Sequence, residues 1–363
     1  MKSSKKNIYV TRTTLPSIKI YTRYLREIWK NNWITNHGPL TLKLEHNLKE
    51  YLGVKHLFYV NNGTVALEIA IKALGLSKEI ITTPFSYVAT TSSIVWTNCK
   101  PVYVDIDNKS LCINPELIEK AITKRTQAIL ATHVYGNPCN VEKIKALSKK
   151  YDLKIIYDAS HCFGVKYKNK SILNYGDIST ISFHATKLFH TAEGGALITN
   201  DDSLAHKVSY MRNFGHNGQE DFFGLGINGK NSELHAAIGL SLLPDVNKDI
   251  EKRKTISSEY DRLLKPANFQ KPEIDKNVVY NYSYYPIIFD SESQLLKVRN
   301  ALNKHKIYPR RYFYPSLNKL NYVGKFHVKK TEDISKRILC LPLYSGLKLS
   351  EIRKITNIII NNT

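Results

Sequence analysis

From about residue 54 to residue 160, short unbroken apolar runs alternate with longer helix-patterned stretches, and this alternation constrains the fold most. "HLFYV" is followed by "NNGTVALEIAIKALGL", "EIITTP" by "SYVATTSSIVWTN", and "KPVYVDID" by "NPELIEKAIT". "TQAILATHVYG" then precedes "NVEKIKALSKKYD", and "LKIIYDAS" closes the series. The runs are continuous rather than polar–apolar in alternation, as expected of strands covered on both faces. Strands separated by helices of this length predict right-handed β-α-β units in a mostly parallel sheet, an α/β fold. Reactive groups in such sheets gather at the carboxyl ends of the strands.

The pattern changes near residue 245. A polar helical stretch, "NKDIEKRKTISSEYDRLL", leads to strand-like "YSYYPIIF" and helical "SQLLKVRNALNKH". A tyrosine-rich loop, "YPRRYFYPSL", and an amphipathic "LSEIRKITNIII" complete the chain. The expected division is a large domain over 1–245 and a smaller α+β domain over 246–363. A chain of 363 residues, 42% hydrophobic and 10% aromatic, has enough apolar material for both. Apolar runs such as "AIGLSLL" are too short to cross a bilayer, and "MKSSKKNIYVTRTTLP" has no apolar leader core. The expectation is a cytoplasmic protein with no membrane partner. Five cysteines without a C-x-x-C pair predict neither a disulfide framework nor a metal site. The formal charge of +22 invites a nucleic-acid partner. Yet no basic block is interleaved with aromatics and no recognition motif appears, so drift towards Lys, Ile and Asn accounts for most of it.

Three stretches carry chemistry. "YVNNGTVALEIAIKAL" reads as strand, turn and helix, with the N–H groups of Gly63 and Thr64 at a helix N-terminus suited to an anion. Alone it reads better as an ordinary Asn/Thr-capped helix, since neither G-x-G-x-x-G nor G-x-x-x-x-G-K-T is present. "LKIIYDASHCFG" ends a strand on Asp158, with His161 three residues on. This Asp either pairs with a cationic ring nitrogen or caps a turn. "SFHATKLFHTAEGGALIT" puts Lys187 among Ala185, Thr186, Leu188 and Phe189, which do not form a solvated face. Desolvation would lower its pKa and favour imine formation. One combination suits all three stretches: pyridoxal phosphate, with an imine-forming lysine, an acid for the pyridine nitrogen and a helix N-terminus for the phosphate.

"NNGTVAL", "ITTPFSYVAT", "HVYGNPCNVEKI", "IYDASHCFG", "SFHATKLFHTAEGGA" and "GINGKNSELHAAIG" follow one another in the order of the DegT/DnrJ/EryC1/StrS family. With "WITNHGPLTLKLEHNLKEYLGV", the chain resembles these pyridoxal-phosphate-dependent nucleotide-sugar aminotransferases over nearly its whole length. "SFHATKLFHTAEGGA" is most similar to the subgroup that aminates C4 of dTDP-4-dehydro-6-deoxyglucose. The resemblance implies a fold-type I aminotransferase. It implies Lys187 as the cofactor lysine, Asp158 at the pyridine nitrogen and Tyr87 stacked on the ring. Ser182, Gly63 and Thr64 would hold phosphate, and Asn228 would reach the phosphate of the neighbouring subunit in a homodimer with shared sites. His161 stands where the family often has Gln, so its imidazole would meet the cofactor's phenolic oxygen. Lys230 stands where Arg is frequent and cannot copy a bidentate fork.

The implied reaction takes an amino group from L-glutamate to the keto sugar, with Lys187 moving the proton, in synthesis of a surface polysaccharide such as O-antigen. His184 is placed near the reacting sugar carbon. Asn36, Arg310, Arg311 and Tyr314 are candidates for the sugar or diphosphate, with domain packing as the other reading. Within the family the rivals are amination at C3 and a UDP- or GDP-linked sugar. From another class, a nucleic-acid-binding protein would rest on charge alone. A hydrolase built on Ser182 and His184, or on Cys162 and His161, is the remaining alternative.

Overall fold

The computed structural model describes residues 7–363. The basic residues 1–6, which open the expected 1–245 domain, lie outside the described residues. Seven strands form the main sheet: β1 (His56–Val60), β2 (Glu79–Thr82), β3 (Lys100–Tyr103), β4 (Thr126–Thr132), β5 (Lys154–Asp158), β6 (Ile178–Ser182) and β7 (Gly195–Thr199). Their spatial order is β1-β7-β6-β5-β4-β2-β3. Each apolar run named above from residue 56 to residue 158 becomes a strand, and each stretch between them contributes a helix.

Only β7 runs against its neighbours, pairing antiparallel with both β1 and β6. The reason is the connection: residues 183–194 hold no helix, and a parallel return needs a crossover. The loop that carries Lys187 is therefore the link of an antiparallel pair, with Gly195 opposite Ser182.

Both sheet faces are buried. Ile129, Ala131, Ile155 and Tyr157 join one apolar cluster, while Ala128, Leu130 and Ile156 join the cluster on the other face. This alternation of side chains across a doubly covered sheet is what the unbroken runs encode. Helices α1 (Ile18–Asn31) and α2 (Pro39–Leu52) precede β1, and α3 (Gly63–Ala73), α4 (Val88–Trp96), α5 (Pro115–Ala121) and α6 (Val141–Tyr151) follow successive strands. After β7 come α7 (Asp202–Met211) and α8 (Glu233–Leu242), which packs on α1 and α2. The Glu233 carboxylate accepts from the N–H groups of Leu40 and Thr41 at 2.7 and 2.8 Å, fastening the start of α2.

A separate apolar cluster lies in the last third of the chain. Helix α9 (Val246–Leu264) bridges the two, with Val246 in the first cluster and Ile256, Tyr260 and Leu264 in the second. Around the second cluster stand α10 (Glu292–Lys304), α12 (Leu349–Ile360) and the antiparallel strands β8 (Tyr285–Ile288) and β9 (Ile338–Leu341), β9 preceded by α11 (Lys329–Arg337). Residue 8 belongs here too: Ile8 pairs in parallel with Ile307 and is buried in this cluster. No helix of the described residues is long and apolar enough to cross a membrane. All five cysteines are free and buried.

Candidate active site

A cavity of about 230 Å³ opens at the carboxyl ends of β4, β5 and β6, where the start of α3 and a C-terminal loop meet. Lys187, Asp158, His161, Ser182, Gly63, Thr64, Tyr87, His184 and Arg310 all line it. Residues 124 positions apart in sequence, Gly63 and Lys187, are thus brought to one cavity by the fold.

Helix α3 starts at Gly63, and the Asn62 side chain caps it by accepting from Val65 N at 2.9 Å. That leaves the N–H groups of Gly63 and Thr64 at the open, positively polarised end of the helix. Asn62 is thus the helix cap, and Gly63 and Thr64 line the cavity. A Cβ on Gly63 would lie 3.0 Å from Ser182 Cβ, so the missing side chain keeps this corner open. Gly195 serves closeness as well: a Cβ there would sit 2.6 Å from the Asn62 carbonyl carbon. Gly195 therefore lets β7 approach the α3 turn, while Gly194 leaves room for Thr191 and Tyr59.

Asp158 ends β5 and is buried. Its Oδ2 accepts from Thr90 Oγ1 at 2.7 Å, and its Oδ1 accepts from Ser160 Oγ at 2.6 Å and Ser160 N at 3.1 Å. Thr90 Oγ1 also meets Ser86 Oγ at 2.6 Å, which meets Thr132 Oγ1 at 3.0 Å. A carboxylate oxygen only accepts, so Thr90 must donate to Asp158, Ser86 to Thr90 and Thr132 to Ser86. The result is a one-way hydroxyl chain polarised towards the carboxylate. The composition of α4, "VATTSSIVW", marks a helix rich in Ser and Thr with Thr90, Thr91 and Ser93 buried, but not the group those hydroxyls serve.

Lys187 sits in a turn, its N–H donating to the His184 carbonyl at 2.8 Å. Burial pushes its amine down to about 8, while the Asp158 charge keeps it from falling further. His161 is buried, and both burial and Lys187 hold its imidazole well below the usual range. Cys162 beside it is pushed up by burial, which disfavours a thiolate nucleophile.

The two other histidines of the loop part company. His184 faces the cavity, with Nδ1 2.8 Å from Thr186 Oγ1 and Nε2 3.5 Å from Glu193 Oε1. His190 is buried and donates from Nε2 to the Thr14 carbonyl at 2.8 Å, so it ties the N-terminal segment to the loop. Glu193, Tyr284, Tyr312 and Phe313 also line the cavity and were not singled out from sequence.

Adjacent arginines point to different work. Arg310 lines the cavity, whereas Arg311 pairs with Glu292 at 2.7 Å, donates to the Lys336 carbonyl at 3.0 Å and lies over the Tyr314 ring. Asn36, Tyr314 and Asn228 are exposed and stand outside the cavity lining. Asn228 closes a hairpin opened by Asn213, and the Lys230 amine lies 4.2 Å from the Phe214 ring centre.

The chain is similar to known proteins along its whole length. The family model for the DegT/DnrJ/EryC1/StrS aminotransferases matches residues 18–360. A dTDP-4-amino-4,6-dideoxy-D-glucose transaminase of Shigella dysenteriae is 41% identical over 94% of this chain and 95% of its own. One of the same name from Escherichia coli is 38% identical over 98% of both chains. Among solved structures, DesI in the presence of its TDP-sugar product superposes with a TM-score of 0.92 at 26% identity, covering 97% of this chain and 92% of its own. NtdA from Bacillus subtilis with bound cofactor PMP gives 0.87 at 26% identity, over 95% and 81%. With its cavity at the strand ends and the family match spanning both apolar clusters, the chain belongs to the DegT/DnrJ/EryC1/StrS aminotransferase family.

Proposed function

We propose that this protein is a pyridoxal-phosphate-dependent transaminase. It moves an amino group from L-glutamate to C4 of dTDP-4-dehydro-6-deoxy-D-glucose, giving dTDP-4-amino-4,6-dideoxy-D-glucose for a surface polysaccharide. The observation that carries the substrate is the near full-length identity of 41% and 38% to two transaminases of that name. The cofactor fits the residues present: a lysine amine lowered to about 8, a buried Asp, and a corner that a Cβ on Gly63 would fill.

Gly63, Thr64 and Ser182 would hold the phosphate, through two N–H groups at a helix start and one hydroxyl. Tyr87, at the start of α4, would cover one face of the ring, and Asp158 would pair with its nitrogen. When bound, pyridoxal phosphate supplies the electron sink that lets a C–H bond beside the amino nitrogen ionise. Lys187 would hold the cofactor and, once displaced by the amino donor, take and return that proton as a free amine. Its lowered pKa supports this, because an amine near 8 is partly unprotonated at neutral pH. Arg310 supplies positive charge for the diphosphate, and His184 with Glu193 lies on the cavity wall for the sugar. Arg311 is held by Glu292, which favours its packing role. Asn36 and Tyr314 would reach the nucleotide from outside the cavity lining.

Asn228 would act in the second subunit of a homodimer. Support comes from its hairpin, which exposes Phe222, Phe223 and Leu225. The proposed division is a cofactor domain over 1–245, with Ile8 reaching across to pair with Ile307, and a smaller domain over 246–363, with cytoplasmic location. The test is incubation of the loaded protein and glutamate with dTDP-, UDP- and GDP-linked 3- and 4-keto sugars. Amination of C4 on the dTDP sugar is expected. Amination only at C3, or only of a UDP or GDP sugar, would overturn the substrate assignment.

A further inference from the structure

We infer that His161 meets the cofactor as a neutral imidazole with its proton fixed on Nε2, and that Tyr135 and Asn281 are the positioning residues that fix it. This rests on the cofactor reading above. His161 Nδ1 accepts the main-chain N–H of Tyr135 at 3.1 Å. A ring nitrogen that accepts carries no proton, so the neutral ring has its hydrogen on Nε2. Protonating Nδ1 would set two N–H groups against each other. The Lys187 amine in the same cavity disfavours imidazolium further.

The donor is built in. Tyr135 lies in the turn after β4 with φ 58°, a left-handed conformation uncommon for an aromatic residue. It is held at three points. Its hydroxyl donates to the Tyr312 carbonyl, its carbonyl accepts from Tyr280 Oη at 2.8 Å, and its ring stacks on Phe313 at 5.8 Å and 9°.

His161 is fastened just as fully, and from the other end of the chain. Its carbonyl accepts from Asn281 Nδ2 at 2.8 Å and from Ser283 Oγ at 3.0 Å. Asn281, fully buried, also donates to the Phe163 carbonyl at 3.0 Å. The imidazole lies parallel to Phe313 at 5.9 Å and meets Tyr284 edge-on at 4.8 Å. Gly136 completes the clamp, since a Cβ there would sit 2.8 Å from both the His161 carbonyl and Asn281 Oδ1. Flipping the ring would put a carbon against the Tyr135 N–H and leave a buried donor unpaired.

His161 is therefore a donor of a single hydrogen bond from Nε2. It is not a base, because Nδ1 is engaged and Nε2 already bears hydrogen. Its partner would be an acceptor atom of the bound cofactor, since His161 lines the cavity. The arrangement also links the 280–284 segment to the cofactor wall.

Two measurements decide this. Long-range ¹H–¹⁵N spectra of histidine-labelled, cofactor-free protein at pH 7 are expected to show His161 with a bare Nδ1 and a protonated Nε2, the signal being assigned by its loss in His161→Gln. In Asn281→Ala that signal is expected to broaden or split between tautomers. Pyridoxal phosphate titrations are expected to give His161→Gln a Kd within about threefold of wild type. His161→Phe, which keeps the stacking but has no donor, should bind about tenfold more weakly, with a shifted visible band. A protonated Nδ1, an unchanged Asn281→Ala spectrum, or tight binding by His161→Phe would overturn the inference. If wild type binds no pyridoxal phosphate, the cofactor reading fails, while the spectra still judge the tautomer.

Discussion

Replacing Thr90 by Val removes one hydroxyl and leaves the volume nearly unchanged. In the structure that hydroxyl is fully buried, donates to Asp158 at 2.7 Å and accepts from Ser86 at 2.6 Å. A hydrogen bond to a charged group contributes about 1.5–3 kcal/mol, and Ser86 would lose its acceptor as well. With roughly 2.1 cal/mol/K of unfolding entropy per residue, 363 residues give about 0.8 kcal/mol per degree. The expected fall in Tm is therefore ~2–4 °C by that scaling, read by calorimetry of the cofactor-free protein. Thr90→Ser keeps the donor and should recover most of the loss. The cofactor-free Thr90→Val protein should also bind pyridoxal phosphate several-fold more weakly, because the Asp158 carboxylate is less firmly oriented. A Thr90→Val protein as stable as wild type, with unchanged cofactor affinity, would refute the polarised hydroxyl chain.

Other consequences are equally direct. The Lys187 amine of the cofactor-free protein should react with an amine-selective acylating probe with a pH midpoint near 8, well below an ordinary lysine; a midpoint near 10.5 would contradict its desolvation. Gly63→Ala places a Cβ 3.0 Å from Ser182 Cβ, and at about 1–3 kcal/mol of overpacking the cofactor Kd should rise roughly 5- to 150-fold in a fluorescence titration. Arg310→Ala should raise KM for the nucleotide sugar with little change in Tm. Arg311→Ala should lower Tm through the lost Glu292 pair and leave KM nearly unchanged, and steady-state kinetics with thermal melts separate the two.

How much of this was legible in the sequence differs by element. Buried parallel strands need continuous apolar runs, so the series from "HLFYV" to "LKIIYD" located its strands directly. Asp158 and Lys187 stood out because each is a charge placed among residues that exclude water. The reversed β7 followed from a connection too short to cross over, yet nothing local in "GGALIT" marks its direction. Thr90 was not legible as the partner of Asp158, since 68 residues separate them and only the fold brings α4 against β5. Arg310 and Arg311 differ because successive residues of an extended segment face opposite ways, and sequence alone does not say which faces the cavity. The loop histidines were ambiguous for a similar reason: His190 points at Thr14, 176 residues away, and His184 at the cavity. The clamp on His161 draws on residues 135, 281, 283 and 313, whose tyrosine-rich surroundings hinted at packing but not at what is packed.

The central claim is that one lysine, Lys187, carries the cofactor in a site shared with Asp158 and Ser182. Borohydride reduction of the loaded protein, followed by peptide mapping by mass spectrometry, tests it most directly. The account expects the phosphopyridoxyl adduct on the peptide containing "SFHATKLFHTAEGGA", at Lys187, and no adduct or turnover in Lys187→Ala. An adduct confined to another lysine such as Lys230, or a Lys187→Ala protein that transaminates at the wild-type rate, would contradict it.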